Sequence, residues 1–159
     1  MRVEYINPFV ESAFNVLKEV VGSELTRGDL YLKSTSHPVL GITVIVGLAG
    51  DVEGRVLIDM SRETALAIAS VMNGEELSDF DDLAKATISE LANMITAQAV
   101  TKLYDLGFKF DLTPPALITG QNLEVSNAGV ETLIVPIEMP QGKIEINVAI
   151  RERGLEEHL

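Results

Sequence analysis

The sequence predicts an α/β (α+β) fold in which an antiparallel β-sheet is packed with long α-helices. Three observations predict it. Long segments carry apolar residues at helical spacing, and runs of β-branched residues double back at glycine turns, which makes antiparallel neighbours. No stretch rich in Ser, Gly or Pro divides the 159 residues into separate units. One domain over residues 1–151, followed by a polar tail at 152–159, is the simplest account.

Taken in order, Asn7-Pro8 opens the first helix, because Asn caps well and Pro suits the first helical position. Val10, Ala13, Phe14, Leu17 and Val20 or Val21 follow as one apolar stripe, and Gly22 ends it. Asp29–Lys33 and Gly41–Leu48 read as strands, the second built on Thr43, Val44, Ile45 and Val46. Gly50-Asp51 turns the chain and Gly54–Met60 returns it. Ser61 caps a second helix with Glu63 in its first turn. Ala65, Leu66, Ile68, Ala69 and Met72 form its stripe, and Asn73-Gly74 stop it. An acidic run, Glu75, Glu76, Asp79, Asp81 and Asp82, leads into the longest helix, Asp81–Leu106, which Gly107 closes. At roughly 1.5 Å per residue that helix spans about 40 Å. An extended stretch through Thr113-Pro114-Pro115 and a strand at Ala116–Thr119 come next. Strands Glu131–Glu138 and Lys143–Ile150 then pair across Pro140-Gln141-Gly142. A turn, strand and helix after Gly50 and a turn and strand pair after Gly129 form a faint internal echo, which leaves a duplicated architecture open.

Composition narrows the function. Twelve Lys and Arg against 24 Asp and Glu give a formal charge of −12, which repels nucleic acid and anionic membrane surfaces alike. Cysteine is absent, so disulfides, thiolate nucleophiles and Cys-ligated metals are excluded. Met1–Glu11 lacks the apolar run of a signal peptide, and no apolar stretch reaches the roughly 20 residues of a membrane helix. A cytoplasmic protein is the expectation.

The long helix carries the chemistry. On a wheel of about 100° per residue, Ile88, Ala92, Ile95, Ala99, Leu103 and Leu106 fall on one side, and Glu90 and Asn93 lie nearly opposite. Glu and Asn on a solvent face are ordinary. Here, however, they stand three residues apart, so both side chains reach one target, and Ala86 and Ala97 beside them leave room for another protein's backbone. An Asn amide both donates and accepts, so it can hold a water in place but is no general base. Glu can pair with a cation. Positioning and clamping therefore fit this pair better than acid/base hydrolysis.

Glu90-Leu91-Ala92-Asn93-Met94, an E-x-x-N on a long helix, and Asp111-Leu112-Thr113-Pro114-Pro115 further on resemble the CheC/CheX/FliY phosphatases of bacterial chemotaxis. The opening Tyr5-Ile6-Asn7-Pro8-Phe9-Val10 and the segment Val71-Met72-Asn73-Gly74 resemble the CheX branch in particular. The likeness covers nearly the whole chain. It implies a pseudo-duplicated fold, a sheet-edge homodimer, and hydrolysis of the aspartyl phosphate of a CheY-like receiver domain. In that scheme Asn93 orients the attacking water and Glu90 pairs with the receiver's lysine. Ala86, Met94, Ala97 and Pro115 would contact the partner. No cofactor is expected in this chain, because the Mg2+ belongs to the receiver. The chain departs from the family pattern at Ala86, where Asp or Ser is preferred, and at Ser89 and Ala97, where Gly is frequent. On the first helix Glu11 and Asn15 have the wrong spacing for a second E-x-x-N, so one site per chain is expected.

Other candidates carry blander readings. Asp79, Asp81 and Asp82 suit a helix start better than a metal. His37 and His158 have no partner motif, and Ser34, Ser36 and Ser61 lack a nucleophile-elbow context. No glycine-rich phosphate loop is present. The rival function is a module that binds a receiver or a flagellar switch component without hydrolysis.

Overall fold

A computed structural model describes residues 3–33, 37–125 and 131–152. Its helices are α1 (Val3–Val21), α2 (Arg62–Asn73) and α3 (Asp82–Asp105). Its strands are β1 (Thr26–Arg27), β2 (Tyr31–Lys33), β3 (His37–Pro38), β4 (Ile42–Gly50), β5 (Val52–Met60), β6 (Phe110–Leu112), β7 (Ala116–Thr119), β8 (Glu124–Val125), β9 (Thr132–Met139) and β10 (Gly142–Glu152). The main sheet has eight strands in the order β1-β9-β10-β5-β4-β6, with β2 beside β1 on β9 and β7 beside β6 on β4. All of its pairings are antiparallel, as expected. A separate ribbon pairs β3 with β8.

This layout is a duplication, divided differently from the echo in the sequence. A helix, two short strands, a third short strand and a long hairpin occur twice, from α1 to β5 and from α3 to β10, with α2 between the copies. The hairpins β4–β5 and β9–β10 meet at the centre, where Ile58 faces Ile146. Each copy's first two strands cross over to flank the other copy's hairpin: β1 and β2 pair with β9, and β6 and β7 with β4.

The three helices cover one face of the sheet. Phe9 and Leu17 of α1, Ile68 of α2, and Ile88, Leu91 and Ile95 of α3 share a core with Ile58, Ile144, Ile146 and Val148. Each fully buried side chain of this size contributes about 1.5–3 kcal/mol. Helices α1 and α3 run antiparallel. The Tyr5 ring meets Phe108 edge-on at 5.1 Å, and Glu11 pairs with Lys102 at 2.9 Å.

Two expectations are corrected. The first helix begins at Val3, not at Asn7-Pro8, and Pro8 lies inside it. Proline there forfeits a single backbone bond, and buried Tyr5 and Phe9 on either side hold the turn. Leu106 is not on the core stripe: it is 57% exposed at the C-cap of α3, where the helix has already ended. Leu91 and Ala84 are buried instead. The expected caps at Ser61 and Gly74 are present. The Ser61 side chain accepts from the Thr64 N–H, and Gly74 adopts a left-handed φ of 68°. Short strands β1, β3, β6 and β8 carried too few residues to be read from periodicity. The tail from residue 153, with His158, lies outside the described residues, as do Ser34 and Ser36.

Candidate functional site

Helix α3 starts where its sequence says it should. The Asp81 carboxylate accepts from the Ala84 N–H at 3.0 Å, so the acidic run acts as a cap. Among the described residues no group of three or more His, Asp or Glu is placed to hold a metal. From this start the buried face runs through Ile88, Leu91, Ala92, Ile95, Ala99 and Leu103.

On the opposite face Ala86, Glu90, Asn93 and Ala97 are all exposed. At about 100° per residue these four fall within an arc of roughly 60° and form a ridge about 16 Å long. The Glu90 and Asn93 side chains make no hydrogen bond or ion pair to any described residue. Met94 sits half-buried at the flank of the ridge. A carboxylate and a carboxamide thus project together from a ridge whose next residues on either side, Ala86 and Ala97, carry only methyl groups.

The turns around the ridge are fixed by hydrogen bonds. Asn73 Nδ2 donates to the Ala69 carbonyl at 2.8 Å and to Thr87 Oγ1 at 2.9 Å, and Thr87 Oγ1 donates to the Leu83 carbonyl at 2.8 Å. The end of α2 is thereby tied to α3 one turn before Glu90, which gives a physical task to the Val71-Met72-Asn73-Gly74 segment. Below Asn93 the buried Thr96 hydroxyl donates back to the Ala92 carbonyl at 2.9 Å.

Pro115 is placed differently from the rest of the expected contact set. Thr113-Pro114-Pro115 links β6 to β7, which lie end to end along β4. Thr113 exchanges two hydrogen bonds with Gly47: Oγ1 accepts from the Gly47 N–H at 2.8 Å, and its own N–H donates to the Gly47 carbonyl at 3.0 Å. A Cβ on Gly47 would press on the Thr113 methyl at 3.1 Å. The two prolines, having no N–H, interrupt pairing between the short strands. Pro115 is half-buried at this sheet edge and is not on the α3 ridge.

Two further features escaped the sequence reading. The first lies on the sheet face away from the helices. Asp59 is 1% exposed, directly opposite Glu145 across β5 and β10. Its carboxylate accepts from Thr43 Oγ1 at 2.8 Å and from the Leu40 N–H at 3.0 Å, and the Tyr31 hydroxyl donates to Glu145. Burial pushes Asp59 up to about 6, aided by the Glu145 charge and opposed by the Thr43 and Leu40 hydrogen bonds. Burial, then the bond to Glu145 and its charge, raise Tyr31 to about 12. Alternation along β5 puts Asp59 on the face opposite Ile58 and Met60, and a period of two carries no sign that this second face is covered too. The second feature is an exposed pair on α1, Glu4 and Asn7, at the same three-residue spacing as Glu90 and Asn93. Treating Asn7 as a cap had hidden it.

Fold and ridge together define a duplicated α+β protein with an exposed carboxylate and carboxamide side by side on one helix face. The chain belongs to the chemotaxis phosphatase CheX family, which its residues 42–138 match. It is 29% identical over 156 residues to the CheY-P phosphatase CheX of Thermotoga maritima, covering 97% of this chain and 100% of that one. The CheX–CheY–BeF3–Mg2+ complex of Borrelia burgdorferi is 49% identical, with a TM-score of 0.82 over 95% of this chain and 100% of that one. A CheC-like superfamily protein of Shewanella sp. PV-4 is 29% identical, with a TM-score of 0.87 over 95% and 99% of the two chains.

Proposed function

We propose that this protein hydrolyses the aspartyl phosphate of a phosphorylated CheY-like receiver domain. Family membership supports the reaction, as does the likeness to a relative solved with CheY. The observation that carries the residue assignment is the ridge itself: Glu90 and Asn93 exposed together, without partners among the described residues, between Ala86 and Ala97.

The chemistry follows from what such a pair can do. An aspartyl phosphate is an acyl phosphate and already reactive, so alignment and charge neutralisation matter most. Asn93 holds a water in line with phosphorus through its amide. The water oxygen bonds to phosphorus as the bond from phosphorus to the carboxyl oxygen breaks. The aspartate leaves as carboxylate, and the water's proton passes to phosphate or solvent. Glu90 pairs with the receiver's lysine and fixes the docking angle. The Mg2+ that neutralises the phosphoryl oxygens is the receiver's. Ala86, Met94 and Ala97 line the docked surface, with Pro115 at its margin. Pairing of two copies through sheet edges belongs to the same reading, since Leu32 and Ile118 are exposed on the outer strands β2 and β7. We take the protein to work in the cytoplasm beside its partner.

The test is phosphate release from a phosphorylated receiver in the presence of Mg2+. Asn93→Ala removes most of the acceleration while leaving binding near wild type, and Glu90→Ala weakens binding as well. Equal release by wild type and Asn93→Ala would end the water-positioning assignment. Tight binding by wild type without faster release would leave a receiver-binding module instead.

A further inference from the structure

Glu90 and Asn93 fill only the middle of a longer line on α3. At about 100° per residue, Leu83 and Thr101 lie roughly 20° to one side of Glu90, and Tyr104 lies roughly 40° to the other. All three are exposed. The exposed ridge therefore runs from Leu83 to Tyr104, about 32 Å along the helix axis. A large apolar side chain stands at each end, and small ones stand next to the polar pair. Leu83 is 45% exposed and Tyr104 48%. A single half-exposed apolar side chain is ordinary on a protein surface. Two on one line, to either side of the same polar pair, make a pattern.

Both are carried on ordered structure. The core does not account for Leu83, since the start of α3 is buried through Ala84 and Ile88. The Leu83 carbonyl accepts from Thr87 Oγ1 at 2.8 Å, Thr87 Oγ1 accepts from Asn73, and Asp81 caps the same turn. One face of the Tyr104 ring covers buried Phe110, stacked at 5.7 Å with an interplanar angle of 18°. Its hydroxyl donates to the Phe110 carbonyl at 3.0 Å. Phe110 begins β6, which leads into Thr113-Pro114-Pro115, so Tyr104 joins the ridge to the sheet edge that carries Pro115. Groups ordered in advance lose less freedom when a partner covers them.

A specific interface engages about 20–30 residues of each partner, and Ala86, Glu90, Asn93 and Ala97 supply a fraction of that. The docked surface has to continue, and α3 continues it in both directions. We propose that Leu83 and Tyr104 are the docking contacts that set affinity for the receiver, each entering an apolar patch on it, one to either side of its phosphorylated aspartate. The proposal rests on the reading of Glu90 and Asn93 given above and deepens it. The pair meets the phosphoryl group. The two ends select a receiver whose apolar patches stand about 13 Å and about 19 Å from that point along the ridge. Leucine and tyrosine provide the apolar area that the two alanines, kept small so that backbones can approach, do not.

The experiment titrates a CheY-like receiver, loaded with Mg2+ and with BeF3 in place of the phosphoryl group, against wild type, Leu83→Gln, Tyr104→Gln, the double variant and Tyr104→Phe. Phosphate release from the phosphorylated receiver is measured on the same proteins and on Asn93→Ala. Gln is uncharged and a good helix former, so α3 keeps both of its ends, which circular dichroism checks. Each Gln variant should raise Kd about fivefold, and the two together about 25-fold, because residues so far apart act additively. Tyr104→Phe keeps the ring and should bind as wild type does. In phosphate release the loss should fall on KM and not on kcat. A wild-type Kd for either Gln variant overturns the proposal, as does a fall in kcat with Kd unchanged. Tyr104→Phe binding as weakly as Tyr104→Gln overturns it too, since the ring would not be the contact. None of these results touches the polar pair while Asn93→Ala stops release. If Asn93→Ala releases phosphate as fast as wild type, the assignment of the pair falls, and the Kd values still decide whether Leu83 and Tyr104 dock the receiver.

Discussion

Replacing Asp59 by Asn should flatten the way stability depends on pH. Asp59 is 1% exposed and faces Glu145 across the central strand pair. Its pKa rises from 3.8 to about 6 on folding, mainly through burial. A carboxyl whose folded pKa is raised binds its proton more tightly in the native state than in the unfolded one. The increase from 3.8 to about 6 corresponds to about 3 kcal/mol. That contribution is whole below pH 4 and is lost as the pH climbs past about 6, where the native state must hold an ionised Asp59 beside Glu145. An Asn side chain keeps an acceptor for the Thr43 hydroxyl and the Leu40 N–H, supplies a donor toward Glu145, and does not titrate. Urea unfolding of both proteins at fixed concentration, at pH 4.5 and pH 7.5, reads the effect directly. Asp59→Asn should gain about 2 kcal/mol on wild type between those pH values. Two stability profiles that stay parallel within about 0.5 kcal/mol would refute the argument.

Three further outcomes follow from the geometry. Gly54→Ala should cost at least about 2 kcal/mol in urea unfolding, because Gly54 has a φ of 146° and a Cβ there runs into the Ala149 carbonyl; a neutral result would mean the β5–β10 seam adjusts freely. Asn73→Ala should lower stability by about 1 kcal/mol and also slow phosphate release, since it unties α2 from Thr87 below the ridge; if neither changes, the tether is idle. Ala97→Leu should shift stability by no more than about 0.5 kcal/mol, because the site is exposed and Leu is a good helix former, yet raise KM for the receiver at least about tenfold; an unchanged KM would remove Ala97 from the docked surface.

The elements legible in the sequence were those with a long period or a local chemical stop. Ser61, Gly74, Asp81 and Gly107 mark ends of α2 and α3 through backbone geometry that few other residues satisfy. Strands β4, β5, β9 and β10 each span at least eight residues and showed their pattern plainly. Two- and three-residue strands such as β1 and β6 exist only because distant partners accept them, and no local signal encodes that. The α1 start was missed because an Asn-Pro pair is a good cap in isolation; the burial of Tyr5 against Phe108, far along the chain, outweighs it. At the site, Glu90, Asn93, Ala86 and Ala97 were legible because they share one helix, where angle follows from residue number. Asn73 with Thr87, and Asp59 with Glu145, belong to different elements, so only the packed chain brings them together.

The order of the strands also bears on how the molecule is made. The last described strand in chain order, β10, is not at an edge but near the middle of the sheet, between β5 and β9. Until it emerges from the ribosome, β5 keeps an open flank of unpaired peptide groups, and β9, synthesised just before, lacks the neighbour that joins it to the rest. The sheet therefore closes only after β10 has been released. A chain cut short by one hairpin would expose an adhesive strand, not merely lose a terminus.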